Sequence, residues 1–150
     1  METGCRIFAA GFRFCILSER NLTVMYKIIR KEVLNPTITL LEIEAPFVAK
    51  KAKPGQFIIL RIDEKGERLP LTIGGFDREK GTVTIIFQLV GLTTKALAKL
   101  NPGDYLLDFV GPLGMPTETE GIKRVCVIGG GLGTAIAYPV AKGFHDAGAE

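Results

Sequence analysis

The chain has 150 residues, of which 47% are hydrophobic and 23% charged, and this excludes a disordered polymer. A net charge of +3 with no Lys/Arg block gives no case for nucleic acid, and no apolar run is long enough to span a bilayer as a helix. Eighteen glycines and eight prolines imply many turns and favour a β-rich architecture.

Residues 1–24 carry no clean period. Arg13 interrupts the apolar stretch Ile7–Leu17, and no small-residue cleavage site follows it. They read as an upstream extension, with Met25 the start of the patterned chain. From there short strands alternate with turn residues. Tyr26–Leu34 runs to the turn Asn35-Pro36, and Thr37–Glu44 (TITLLEIE) is stopped by Pro46. Lys53-Pro54-Gly55 is a turn before the apolar run Gln56–Ile62, and Asp63–Glu67 is a charged hairpin loop. Leu69–Ile73 is a short strand and Asp77–Gly81 a polar turn. Thr82–Leu89 (TVTIIFQL) has the strongest alternation and β-branching in the chain.

At Thr93 the period changes. Thr94–Leu100 spaces Ala96, Leu97 and Leu100 as a helix, with Thr93 as its cap and Asn101-Pro102-Gly103 as its stop. Tyr105–Val110 is a sixth strand, closed by Gly111-Pro112-Leu113-Gly114. The expectation is a mainly β fold, a six-stranded antiparallel barrel over residues 25–117. A different grammar follows over 118–150. The strand Arg124–Ile128, the glycines Gly129, Gly130, Gly131 and Gly133, and a helix to about Ala147 open a Rossmann-like α/β unit. Ala137, Val140, Ala141 and Phe144 share one face of that helix, and Pro139 either kinks it or marks its first turn.

Cys5, Cys15 and Cys126 form no Cys-x-x-Cys pair, and with His145 the sole histidine no resident metal is expected. Their scatter fits a reducing, cytoplasmic compartment. His145, far along the last helix, has no triad partner.

The chemistry lies in three stretches. The glycine turn lets a backbone approach a pyrophosphate at a helix N-terminus, although Thr134 stands where a dinucleotide fingerprint wants a third glycine. The same glycines also suit a tight turn that holds no ligand. Arg68-Leu69-Pro70-Leu71-Thr72-Ile73 puts a hydroxyl two residues beyond a fixed backbone, and Gly91-Leu92-Thr93-Thr94 offers amides and hydroxyls to phosphate. Taken singly, these are a hairpin strand and a capped helix.

In order, Arg-Leu-Pro-Leu-Thr, Gly-x-Thr-Thr, Gly-Pro-Leu-Gly and Gly-Gly-Gly-x-Gly resemble the ferredoxin–NADP reductase superfamily over about Met25 to Glu150. Their spacing resembles the small (alpha) subunit of bacterial and archaeal ferredoxin–NADP reductases, also described as sulfide dehydrogenase subunits. They also resemble the electron-transfer subunit of dihydroorotate dehydrogenase. The resemblance implies bound FAD, in preference to FMN, reduced by NAD(P)H and passing electrons to an iron–sulfur partner such as ferredoxin or a larger catalytic subunit. It implies that Thr72 lies near flavin N5, with Leu69, Pro70 and Leu71 against the ring. Ile86, Phe87 and Gln88 would follow the ribityl chain and adenine side. Gly91, Thr93 and Thr94 would hold the pyrophosphate, and Gly129–Gly131, Gly133 and Thr134 the nicotinamide nucleotide.

Two departures stand out. The superfamily writes Arg-x-Tyr-Ser, whereas Arg68 lies four residues before Thr72, so it would reach the phosphates from a loop. Pro70-Leu71 replaces the usual stacking aromatic. Relatives of this type continue into a full nucleotide domain and a cysteine-rich tail holding a [2Fe–2S] cluster, whose ligands lie outside these residues. The rival readings are a flavin module without turnover and a barrel used for protein contact alone. Arg124–Ile128 and the apolar face of the last helix are expected to lack their sheet partners, which would leave residues beyond about Thr117 mobile, misplaced or packed against another molecule.

Overall fold

The computed structural model describes residues 25–150, so the extension at 1–24 lies outside the described residues. Seven strands form one antiparallel sheet: β1 (Tyr26–Asn35), β2 (Ile38–Glu44), β3 (Phe57–Arg61), β4 (Leu69–Asp77), β5 (Thr82–Gln88), β6 (Tyr105–Leu106) and β7 (Asp108–Leu113). Their spatial order is β6-β1-β2-β5-β4-β3-β7. The two outermost strands are therefore neighbours in sequence, separated by Leu107 alone.

That adjacency nearly closes the sheet on itself. Tyr26 and Lys27 pair with Leu106 and Tyr105, while Leu60 and Arg61 pair with Phe109 and Asp108. Between them the Leu107 amide donates to the carbonyls of Arg61 and Ile62 at 3.0 and 3.2 Å. The sixth strand expected at Tyr105–Val110 is thus divided at Leu107, because one extended stretch serves both edges of a barrel and must change partners to do so. Closure leaves no long unpaired edge.

Period-2 alternation sets the core. Leu41 and Ile43 of β2, Ile58 and Leu60 of β3, Ile73 of β4, and Val83, Ile85 and Phe87 of β5 are all buried. Each such side chain contributes about 1.5–3 kcal/mol on leaving water. Helix α1 (Pro46–Lys51), which strand periodicity does not reveal, starts with Pro at its first turn and buries Val48 and Ala49. Helix α2 spans Leu92–Leu97, earlier than the expected Thr94–Leu100, and buries Leu97.

The C-terminal part departs further from expectation. Arg124–Ile128 is not a ladder strand, since pairing needs a neighbour and only the last residue lies beside it. The Val125 amide donates to the Glu150 carbonyl and the Glu150 amide to the Lys123 carbonyl, both at 2.9 Å, which is the pattern of a parallel pair. Helix α3 (Gly133–Asp146) carries Pro139 buried in its interior and also buries Phe144, on the expected face. It packs on the barrel at the turn before β3. A Cβ at Gly143 would lie 2.8 Å from Cγ of Pro54, so only glycine allows that approach. The Thr117 amide fastens the linker to the same turn through the Pro54 carbonyl, at 2.9 Å. The segment past Thr117 therefore has a partner in the barrel itself. Among the described residues no helix is long and apolar enough to cross a membrane.

Candidate functional site

β4 carries the Pro-Leu-Thr segment, and its two faces do different work. Leu69 and Leu71 pack against the core, and Ile73 is buried within it. Pro70 and Thr72 alternate with them on the outer face. Leu69 and Leu71 are half-buried with their side chains against the core, whereas Pro70 and Thr72 can offer side chains outward. Next comes an irregularity: Ile73 pairs with Ile85 and Gly75 with Thr84, so Gly74 is an extra residue bulged out of the ladder. Two glycines inside a strand pattern are the sequence sign of such a bulge.

The same alternation sorts β5. Phe87 is 1% exposed and belongs to the barrel core, while Ile86 and Gln88 lie on the outer face. Of the three residues expected along the ribityl chain, Ile86 and Gln88 have side chains on the outer face of the sheet and Phe87 does not.

Beyond β5 the chain enters the Gly91–Thr94 loop, which one hydroxyl organises. Oγ1 of Thr94 accepts from the amides of Val90 and Gly91 at 3.1 and 3.0 Å and lies 3.1 Å from the Gly91 carbonyl. Gly91, not Thr93, is the residue that caps α2, and Thr94 supplies the return bond of a capping box. Thr94 is buried and spent on the loop's own shape. Thr93 remains outward, its Oγ1 donating to Oε2 of Glu67 at 2.8 Å. This bond sets the phosphate-type loop beside the residue that precedes Arg68, which is exposed in a loop before β4. Arg68 and Thr93 are thus neighbours in space although 25 residues separate them in sequence.

The glycine turn holds two bends, with the Gly133 amide donating to the Gly130 carbonyl and the Thr134 amide to that of Gly131. Gly131 has φ +53°, the left-handed region that favours glycine. A Cβ on Gly129 would lie 3.0 Å from Cα of Thr134. The close turn-to-helix approach that a third glycine would permit is made here from the other side, with glycine at 129 and threonine at 134.

Between the glycine turn and the barrel lies a cleft of about 370 Å³. The bulged Gly74 and Ile86 line it on the sheet side; Leu34, Asn35 and Ile38 come from the β1–β2 hairpin. Gly131, Leu132, Thr134, Ala135 and Tyr138 form its third wall. Sequence reasoning named Ile86, Gly131 and Thr134 and missed the rest, of which only Gly74 left a local signal. Pro70, Thr72 and the Gly91–Thr94 loop lie outside these walls. Thr72 is two residues from Gly74, roughly 7 Å along a strand.

No family model matches the chain. It is 41% identical to a solved structure of an NADH-dependent reduced ferredoxin–NADP oxidoreductase, described for flavin-based electron bifurcation. The match has a TM-score of 0.82 and covers 85% of this chain and 46% of that one. The chain has the ferredoxin reductase-like fold of that structure. It is also 41% identical to the dihydroorotate dehydrogenase B (NAD(+)) electron transfer subunit homolog of Thermotoga maritima, over 84% of this chain and 45% of the relative. An "Uncharacterized protein in adh 3'region" of Clostridium beijerinckii is 54% identical over 83% of this chain and 44% of that protein. The chain therefore spans less than half the length of these relatives.

A flavin nucleotide fits what is present. The cleft is at the small end of ligand sites and suits one ring system, not a whole dinucleotide. The outer face of β5 then leads past Gln88 to the Gly91–Thr94 loop. An iron–sulfur cluster has no such fit: among the described residues no group of three His, Cys, Asp or Glu is placed to hold a metal.

Proposed function

We propose that residues 25–117 are the flavin-binding barrel, and residues 118–150 the opening of the nucleotide-binding domain, of an electron-transfer subunit. In the whole protein it would pass electrons from NAD(P)H through FAD to an iron–sulfur partner such as ferredoxin or a larger catalytic subunit. The observation that carries this reading is the junction of the three motifs on one outer surface. The Thr93–Glu67 bond joins the Gly91–Thr94 loop to the Arg68 segment, and β4 leads from there through Thr72 to the cleft beneath the glycine turn.

FAD, when bound, supplies the hydride and single-electron chemistry. The chain's own residues orient it and limit its contact with water. Thr72 offers a hydroxyl to the ring edge at N5, and Pro70 an apolar contact. Arg68 meets the diphosphate from the loop, beside Gly91 and Thr93, which shape the phosphate-side loop through their bonds to Thr94 and Glu67. Ile86 and Gln88 bound the chain between ring and phosphate, with Phe87 behind them in the core. The turn Gly129–Gly131, Gly133 and Thr134 supports the nicotinamide nucleotide at the start of α3. The parallel bonds between Glu150 and the Lys123–Val125 segment support a βαβ unit there.

The test compares ligands that differ only beyond the ring. Arg68→Ala should weaken FAD by about tenfold, the value of one charge-assisted contact, and leave riboflavin within about twofold. Equal loss for both ligands would remove Arg68 from the phosphate site. Absence of binding by either, in a folded barrel, would remove the reading itself.

A further inference from the structure

The cleft has an aromatic wall that no motif announced. Resting on the flavin reading above, we propose that Tyr138 is the stacking residue for the isoalloxazine ring and that Asn35 selects that ring by donating to a ring carbonyl.

Three observations lead there. First, the Pro-Leu-Thr segment brings no aromatic to the ring, and Pro70 is the largest side chain that β4 turns outward beside Thr72. Tyr138 supplies one from the opposite side. Leu132, Ala135 and Tyr138 follow at three-residue spacing along the start of α3 and all line the cleft. Tyr138 is 62% exposed, so its ring is available for contact. Across from it the sheet offers Ile86 and the bare backbone of the Gly74 bulge. A bulge next to a cleft re-aims the chain, and glycine there lets a flat ring approach the backbone. Aliphatic wall on one side and phenol on the other make a slot for a planar heterocycle.

Second, Asn35 has its amide orientation fixed by its neighbours. Its Oδ1 accepts from the Thr37 amide at 2.8 Å and from the Thr37 hydroxyl at 3.0 Å. Both are donors to the same atom, which assigns oxygen and nitrogen without ambiguity. Among the described residues neither Nδ2 hydrogen is engaged. Asn35 lines the cleft, so its amide is the donor the hairpin has for a ring edged with carbonyl acceptors.

Third, the cleft is small for a whole dinucleotide. About 370 Å³ holds one ring system. Thr72 stands roughly 7 Å from Gly74, within reach of the same ring's edge.

The experiment titrates the purified full chain with lumiflavin, which is the ring without ribityl or phosphate, and in parallel with FAD. Flavin fluorescence is the readout, and adenosine and 1-methylnicotinamide are competitors. Stacking on an aromatic is worth enough that Tyr138→Ala should weaken both flavins by about tenfold, while Tyr138→Phe stays within about twofold. Asn35→Asp keeps the acceptor that holds the Thr37 turn and loses the donors, so it should also weaken both by about tenfold. Neither competitor should displace lumiflavin. If Tyr138→Ala leaves lumiflavin binding unchanged while the unsubstituted chain binds FAD, this inference is overturned and the flavin-binding barrel stands. Displacement of lumiflavin by either competitor overturns the assignment of the cleft to isoalloxazine. A folded chain that binds neither flavin overturns both this inference and the reading beneath it.

Discussion

Replacing Thr94 by valine removes one hydroxyl and almost no volume, so it isolates the bonds that shape the Gly91–Thr94 loop. Oγ1 accepts from two amides and faces the Gly91 carbonyl, at 3.0–3.1 Å. A buried donor left without a partner costs about 1–3 kcal/mol. Val90 is 73% exposed, so water can reach the freed amides and the lower end of that range applies. The packing of the side chain, 7% exposed, is kept by valine. The expected loss is about 1–2 kcal/mol, or a fall in Tm of about 5–10 °C for a barrel of this size. Thr94→Ser keeps the hydroxyl and should lose well under half as much. Because the loop is also where the diphosphate is expected, Thr94→Val should weaken FAD more than riboflavin. Thermal melting of the two variants, followed by titration with both ligands, checks each step. Equal melting temperatures for the valine and serine variants would refute the structural argument.

Other regions give equally specific expectations. Gln56, 8% exposed, accepts from the Lys53 amide at 3.0 Å and donates to the Gly114 carbonyl at 2.8 Å, so it ties two turns together. Gln56→Leu should cost about 2 kcal/mol in denaturant unfolding; a change under about 0.5 kcal/mol would contradict this role. Gly143→Val drives a side chain into Pro54, and should speed amide exchange along residues 133–146 while shifting the barrel's Tm by under about 2 °C. In the β4–β5 turn, the amide of Lys80 first, and that of Glu79 and the Lys80 ammonium with it, hold the Asp77 carboxyl below its usual pKa despite an opposing effect of burial. The carboxylate's support for the turn is therefore complete above the unfolded-state pKa and lost as pH falls through the lower folded value. An NMR titration of Asp77 should show that lowered midpoint.

The strands were legible because each has one buried face, and Thr82–Gln88 stands out for the regularity of its alternation. Motif order carried the resemblance to ferredoxin reductases. What could not be read was which residues meet across the chain. Tyr105–Val110 reads as one strand, and only barrel closure divides it at Leu107. Helix α1 is too short for a period and shows itself through Pro46 alone. Thr94 and Thr93 are equivalent in sequence, yet one hydroxyl is turned into the loop and the other out to Glu67. Phe87 sits in a promising motif, but its parity with Val83 and Ile85 puts it in the core, and that signal was present in the alternation. The cleft is the least legible feature. Asn35, Gly74 and Tyr138 come from three distant segments, and each alone looks like a turn residue, a loose strand position and a surface aromatic.

The most direct measurement is the visible spectrum of the purified full chain after incubation with FAD and removal of excess nucleotide. The account predicts a yellow protein whose flavin absorption is shifted and structured relative to free FAD, at close to one flavin per chain. A colourless protein with an intact barrel would contradict it, whatever the glycine turn holds.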